Sequence, residues 1–111
     1  MLNKLIQGSI AAALLTVVAQ PSLANAEGDA AAGAGKITMC AACHGLTGKS
    51  PASIYPHLAG QWAAYLESSL KAYRAGERTG GMAAMMTPQA AALTDQDIAD
   101  IADIAAYYSA Q

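Results

Sequence analysis

The spacing of apolar residues along the chain predicts three helices. In the first, Asp29 is placed to cap residues 30–44, where apolar residues recur at three- and four-residue intervals. Gly33 and Gly35 weaken this helix locally, and we expect another helix to come close there. No internal repeat or second domain is visible along the chain, so the helices belong to one domain.

The second and third helices are marked by apolar stripes and by their end signals. The second ends before Gly76, which lies where a C-terminal glycine stop belongs. The third begins at Thr94, with an aspartate three residues later as a variant of the capping box. We expect loops over 45–60 and 77–93. The two stripes contain Trp62, Tyr65, Leu66, Ser69, Leu70 and Tyr73, and then Ile98, Ile101, Ala102, Ala105 and Tyr108.

The apolar residues nearest the N-terminus predict a cleaved signal peptide over residues 1–26. Lys4 precedes an apolar run over 10–19, Pro21 then ends any helix, and Ala24-Asn25-Ala26 has the A-x-A form of a cleavage site. A membrane anchor is the alternative, but the run is about half of the roughly 20 apolar residues that a spanning helix needs. We therefore expect an exported protein with no membrane span in its mature form.

Composition then bounds the mature domain, residues 27–111. These 85 residues contain no Val or Phe but 22 Ala, which favours helices over strands and predicts an all-α fold. The formal charge of this segment is −3, which argues against binding of nucleic acid. Only 14 of its residues are Ile, Leu or Met, so large side chains for a core are scarce.

The candidate chemistry is concentrated in the run CAACH at residues 40–44. In an exported protein, C-x-x-C-H is the attachment pattern of c-type haem. Cys40 and Cys43 lie one helical turn apart and can add to vinyl groups of one porphyrin, while His44 turns its imidazole toward the iron. A thioredoxin-like dithiol would need a βαβ setting, and a zinc site would need four ligands, for which an adjacent Cys–His pair is poorly suited. We expect one covalent haem c.

A buried haem would also supply the bulk that the chain lacks. Domains near or below about 80 residues commonly need an additional stabilising element of this kind, such as a metal or disulfide. We therefore expect the haem-free chain to be largely unfolded or molten.

Four side chains are candidates for the second axial ligand of the iron: Met82, Met85, Met86 and His57. A methionine paired with His44 would raise the reduction potential relative to a pair of histidines, which suits an electron carrier on the oxidising side of a respiratory chain. Single methionines are more often flexible fillers of a core, and histidines are commonly exposed, so we expect His57 to be a surface residue.

Five motifs follow one another along the chain: CAACHGLTGKS, YPHLAGQWAAYL, KAYRAGER, a Met-rich loop and LTDQDIADIAAYYSAQ. Together they resemble a small bacterial class I monohaem cytochrome c, of the group whose fold also forms each half of certain dihaem periplasmic cytochromes. The resemblance covers residues 28–110. It implies the class I cytochrome c fold, with three main helices and loops wrapped around one haem, and with the first and last helices crossing near Gly33 and the Tyr107–Tyr108 pair. Since one C-x-x-C-H is present, we expect one haem.

The resemblance also implies particular site residues. In this group the axial methionine lies seven residues before the leucine that opens the last motif. That leucine is Leu93 here, which selects Met86 over Met85 and Met82. The group further uses a proline carbonyl twelve residues after the axial histidine, at Pro56, to accept the Nδ1 proton of His44. Such a bond fixes the ring and raises its basicity as a ligand.

A haem iron with two axial ligands has no open position for a substrate, so the sequence predicts a periplasmic one-electron carrier rather than an enzyme. We expect a monomer that docks transiently with redox partner proteins through a small, partly apolar surface around the haem edge. One alternative is a haem subunit of a periplasmic dehydrogenase or oxidase, with Trp62, Tyr65 and Tyr73 at a permanent interface. Because these three share one helical stripe, we expect core packing for them instead. A ligand-binding or peroxidatic protein would need an open sixth site.

Overall fold

Five helices and no strand form within residues 11–18 and 26–108, the parts of the chain that the computed structural model describes. This confirms the all-α prediction. None of the described helices is long and apolar enough to cross a membrane. The predicted signal peptide falls mostly outside the described residues and stays a prediction. The helices are α1 (Ala30–Ala34), α2 (Thr38–His44), α3 (Ala63–Arg74), α4 (Ala83–Ala90) and α5 (Asp95–Tyr107).

The first predicted helix is two short helices. Asp29 caps α1 as expected, since its carboxylate accepts hydrogen bonds from the backbone N–H groups of residues 31 and 32. The chain then leaves the helix at Gly35, whose N–H bonds to the carbonyls of residues 32 and 33, and α2 begins after Ile37. Gly35 therefore ends the first part of the predicted helix, because glycine is a poor residue for a helix interior, whereas Gly33 lies within α1.

The predicted loop over 77–93 contains α4, a helix that the apolar pattern did not indicate. The prediction described this segment as a loop that bears glycines, Gly80 and Gly81, and methionines. Both glycines precede α4, and Pro88 lies near its C-terminal end, where the helix continues for only two more residues. The alanines and methionines between them are good helix formers, so this segment folds as a short helix that packs against α3.

Helix α5 forms the centre of the fold, and α1 and α3 pack against it. It begins with the predicted capping box, in which the Thr94 hydroxyl accepts from Asp97 N and the Asp97 carboxylate accepts from Thr94 N. Leu66 of α3 packs on its buried face, and Leu58 and Ala63 add to that cluster. The buried residues of α5 are Ile98, Ala99, Asp100, Ile101, Ala102, Ile104 and Ala105.

Gly33 lies at the crossing of α1 and α5, as the resemblance implied. A Cβ atom at this position would overlap the Asp100 carbonyl oxygen and come within 3.0 Å of the Ile104 side chain. The contact is therefore made by Asp100 and Ile104, which lie about two turns and one turn before the Tyr107–Tyr108 pair that the resemblance indicated. The two tyrosine rings contact each other edge to face instead.

A polar network holds the junction between α1 and α2 on α5. Asp100, only 2% exposed, accepts hydrogen bonds from Asp29 N at 2.9 Å, Gln96 Nε2 at 2.8 Å and Lys36 Nζ at 2.7 Å. Lys36 also pairs with Asp97 at 2.8 Å. The hydrogen bond from Lys36 holds the pKa of Asp100 below its usual value and lowers that of Asp97 to about 2. These shared bonds raise the pKa of Lys36.

The expected core packing of the α3 aromatic residues is wrong for Trp62. This side chain is 81% exposed, and Tyr65 is also exposed, whereas Leu66 is buried. Trp62 is the N-cap residue of α3 and has an extended backbone, so the helical period does not set its direction. Tyr73, at the other end of the stripe, lines the large cavity described below.

Candidate functional site

Helix α2 carries both cysteines and the histidine of the C-x-x-C-H run on its last two turns. Cys40 and Cys43 are three residues apart and are not joined to each other. Both line the same cavity as His44, which is the last residue of the helix and is 8% exposed. Burial raises the pKa of the Cys40 thiol.

The chain turns sharply after His44. Gly45 has φ +85°, a conformation that favours glycine, and a Cβ there would overlap the Lys49 carbonyl oxygen. This turn starts the loop over 45–60, which returns across the histidine. At its far side Nδ1 of His44 lies 2.8 Å from the Pro56 carbonyl oxygen. Because a carbonyl accepts hydrogen bonds only, Nδ1 carries the proton and donates it, which leaves Nε2 as the nitrogen able to bind a metal.

A cavity of about 680 Å³ lies against this end of α2. Its walls come from α2, the loop over 45–60, the end of α3 and α4, and Ile101 of α5 reaches it from the core. All three candidate methionines of the Met-rich segment line it. Met86 is half-buried, whereas Met82 and Met85 are 51% and 44% exposed. His57 does not line the cavity and is exposed, as predicted for a surface residue.

The cavity wall also carries two cations that were not among the predicted site residues. Lys36 and Arg78 both line it, but Lys36 is already paired with two aspartates of α5. The Arg78 guanidinium lies 4.8 Å from the centre of the Tyr73 ring, at cation–π distance. The position of Arg78 two residues after the Gly76 stop was a usable signal in the sequence, because a cation there follows shortly after the end of α3. Tyr55 lies edge to face with His44 at 6.5 Å and completes the wall around the imidazole.

The residues of this site fit a covalently attached haem. The cavity volume is within the range of cofactor sites, roughly 300–1,000 Å³. Two thiols, one imidazole with Nδ1 already occupied and several thioether sulfurs meet at its wall, which is the set of donors that a c-type haem uses. Such a site on an all-α domain defines the class of c-type haem proteins.

Comparisons with known proteins give the family within that class. The family model for cytochrome c matches residues 30–107, and the chain belongs to the cytochrome c family, whose members carry an iron-containing haem c attached covalently. Because members of this family use C-x-x-C-H to attach haem, the dithiol and zinc alternatives for this run are excluded. Together with the relatives below, it places the chain among the electron-transfer c-type cytochromes.

The chain is similar to both short and long members of the family. It is 64% identical over 84 residues to cytochrome c-554(548) of Halomonas halodenitrificans, covering 76% of this chain and 98% of that protein. It is 43% identical over 104 residues to cytochrome c4 of Stutzerimonas stutzeri, covering 88% of this chain but 48% of that protein. The crystal structure of reduced cytochrome c4 from Pseudomonas stutzeri matches with a TM-score of 0.57 at 41% identity, covering 76% and 46% of the two chains. The chain thus spans about half the length of the cytochromes c4.

Proposed function

We propose that this chain is a periplasmic carrier of single electrons, with one haem c whose iron is bound by His44 and Met86. The observation that supports this most directly is the convergence of the C-x-x-C-H run and the methionines of α4 on one cavity. When bound, the haem supplies a one-electron couple between ferric and ferrous iron. The remaining task of the chain is to hold that couple at a defined potential and to exclude other ligands.

Three groups of this chain would hold the cofactor through its periphery. Cys40 and Cys43 would form the two thioether bonds to the porphyrin, as C-x-x-C-H cysteines do. Arg78 lines the cavity and forms no ion pair with a carboxylate among the described residues, so it is suited to bind a haem propionate. The bond from His44 Nδ1 to Pro56 would fix the imidazole plane and increase its basicity.

The assignment of Met86 as the sixth ligand is supported by burial as well as by the resemblance. Of the three candidate methionines on the cavity wall, Met86 is half-buried, whereas Met82 and Met85 are exposed. A ligating sulfur needs a fixed position, which a partly enclosed side chain provides better than an exposed one. Met85 is the main alternative for the sixth ligand, because it is the neighbouring residue on the same helix.

The periplasmic location rests on the predicted signal peptide. Cleavage after Ala26 would leave 85 residues, and the 84 residues matched in cytochrome c-554(548) already cover 98% of that protein. The two lengths therefore agree with removal of residues 1–26. An exported compartment also suits covalent haem attachment through C-x-x-C-H.

We expect docking to redox partners at the haem edge rather than through a basic ring. The mature chain has a formal charge of −3, and two of its five cations, Lys36 and Arg74, are paired with aspartates. Met82, Met85 and Ile54 are exposed beside the cavity and provide a partly apolar rim. Small apolar contacts of this kind are typical of weak electron-transfer encounters, and a monomeric carrier would use them transiently.

A combined optical and redox titration of the purified holoprotein tests this function. We expect one haem per chain, a single one-electron step, and a six-coordinate iron in both oxidation states that does not bind carbon monoxide rapidly. The matched control is Met82→Ala, which changes a cavity-wall methionine outside the proposed ligand set and should leave the iron six-coordinate. Rapid binding of carbon monoxide to the ferrous wild type would instead indicate an open sixth site and a ligand-binding or peroxidatic role.

One observation favours a second candidate, the haem subunit of a periplasmic dehydrogenase or oxidase. Trp62 and Tyr65 are exposed on the first turn of α3, and exposed aromatic residues of this size are enriched at protein interfaces. Purification from the native source distinguishes the two functions. A monomer that exchanges electrons as a free protein supports the carrier, whereas stable co-purification with a larger oxidoreductase, lost in Trp62→Ala, supports the subunit.

A further inference from the structure

The loop that carries Pro56 is closed by a side chain that the haem site itself does not use. The backbone N–H of Ser50 donates a 2.7 Å hydrogen bond to Nδ1 of His57. Two residues outward, the Gly48 carbonyl accepts from Leu58 N at 2.8 Å and from Ala59 N at 3.0 Å. These bonds tie the two ends of the loop together. We call the Ser50–His57 bond and the two bonds to Gly48 the loop clasp.

The clasp sits directly beside the hydrogen bond that orients His44. The Pro56 carbonyl, which accepts from His44 Nδ1 at 2.8 Å, belongs to the peptide group that joins Pro56 to His57. A peptide group is planar, so the carbonyl oxygen and the backbone nitrogen of His57 move as one unit. Fixing the ring of His57 on Ser50 therefore restricts the direction in which the Pro56 carbonyl points.

The bond to Ser50 also sets the chemical state of the His57 ring. A ring nitrogen that accepts an N–H hydrogen bond carries no proton, so the imidazole is neutral with its proton on Nε2. Ser50 helps to hold this segment in place, since its hydroxyl donates to the Ala52 carbonyl at 2.6 Å and accepts from Ala52 N at 3.1 Å. Although His57 is exposed, its imidazole has a defined partner and a defined tautomer.

We propose that His57 is a positioning residue for the haem ligand. Its neutral imidazole holds the loop clasp closed, the clasp aims the Pro56 carbonyl at His44, and the strength of that bond sets the basicity of the axial imidazole. The inference rests on the proposed function, in which His44 binds the iron. A more basic imidazole favours ferric over ferrous iron, so weakening the clasp shifts the couple toward the ferrous state.

Two substitutions of His57 distinguish the effect of its hydrogen-bond acceptor from the effect of the rest of the side chain. His57→Asn keeps an acceptor oxygen close to the place of Nδ1, whereas His57→Ala removes the acceptor. Ser53→Ala is the matched control, because Ser53 is exposed on the same loop and takes no part in the clasp. The three variants and the wild type are compared as holoproteins by redox titration at about pH 8.5, above the range in which histidine ordinarily changes charge.

We expect His57→Ala to raise the equilibrium constant for reduction about threefold, which is about 30 mV for a one-electron couple. Direct loss of a partner to a metal-bound histidine commonly changes metal affinity or activity by about 10- to 100-fold, so a residue acting one step further out should give a smaller effect. His57→Asn and Ser53→Ala should keep the wild-type potential. A His57→Ala protein at the wild-type potential, or an Asn variant shifted as far as the Ala variant, would overturn the proposal.

A measurement on the unmodified protein keeps the proposal testable even where His57→Ala fails to retain haem. The Ser50 backbone N–H should exchange with solvent at least tenfold more slowly than an unprotected amide, and exchange at the unprotected rate would show that the clasp is not formed. Failure of the proposed function gives a different result, since the wild type itself would then lack the spectrum of a histidine-ligated, six-coordinate haem. An intact spectrum with unresponsive His57 variants would refute the positioning role alone.

Discussion

The crossing of α1 and α5 at Gly33 makes a sharp prediction about stability. Substitution of Gly33 by Ala would place a methyl group where the Asp100 carbonyl oxygen already lies. Neither atom is at the end of a flexible side chain, so the two helices must separate. Such a separation also strains the bonds that Asp29 and Lys36 make to the buried Asp100 carboxylate.

The expected size follows from two opposing effects. Overpacking a filled contact costs about 1–3 kcal/mol, and a clash with backbone belongs at the upper end of that range. Alanine is better than glycine in a helix interior by about 1 kcal/mol, which offsets part of the cost. We therefore expect a net loss of about 2 kcal/mol in the free energy of unfolding. For a domain of this size that corresponds to a fall in Tm of about 8–16 °C.

Gly35→Ala provides the matched control, two residues from Gly33 at the C-terminal end of the same helix. Gly35 has φ −78°, and a Cβ there would meet its nearest atom at an ordinary 3.5 Å. Reduced freedom of the unfolded chain should stabilise this variant by about 0.4–1 kcal/mol. The assay is thermal unfolding of the two holoproteins followed by circular dichroism. A Gly33→Ala protein at least as stable as the wild type would refute the close crossing of α1 and α5.

Three further predictions concern acid, cofactor and salt. The pKa of Asp97 in the folded protein is lowered to about 2, so its contribution to stability is complete above about pH 4 and is lost as the pH falls toward 2. In unfolding curves measured over a series of pH values, Asp97→Asn should therefore reduce the loss of stability at acid pH. An unchanged loss of stability would contradict the Lys36 pairing. The haem-free chain should lack a cooperative thermal transition, and a native-like melt of a haem-free preparation would show a self-sufficient core. Association with the redox partner should change little with ionic strength in stopped-flow measurements, whereas a steep decline with added salt would indicate electrostatic steering.

Local signals in the sequence accounted for the helix ends and the cofactor. Asp29, Thr94 and Gly76 act through bonds to neighbouring residues, so their roles could be read from position alone, and the structure confirms all three. The C-x-x-C-H run is likewise local, because its cysteines and histidine lie on one short helix. The family comparison confirms the haem that this run predicts.

Features set by contacts between distant segments were harder to predict. Helix α4 was missed because the segment over 77–93 bears glycines and was predicted as a loop, although both glycines precede the helix. Trp62 was assigned to the core because its spacing matched the stripe, whereas its position before the first helical residue lets it point outward. The network around Asp100 joins residues more than 60 positions apart, and no pattern along the chain indicates it.

The most direct test of the account is the identity of the sixth ligand, measured through the sulfur-to-iron charge-transfer band of the ferric protein. Met86→Ala should abolish this band and open the iron to carbon monoxide in the ferrous state, while Met85→Ala and the wild type should retain the band. Loss of the band in Met85→Ala with its retention in Met86→Ala would move the ligand to the neighbouring methionine. A wild-type protein without the band would contradict the His44–Met86 pair on which the carrier function rests.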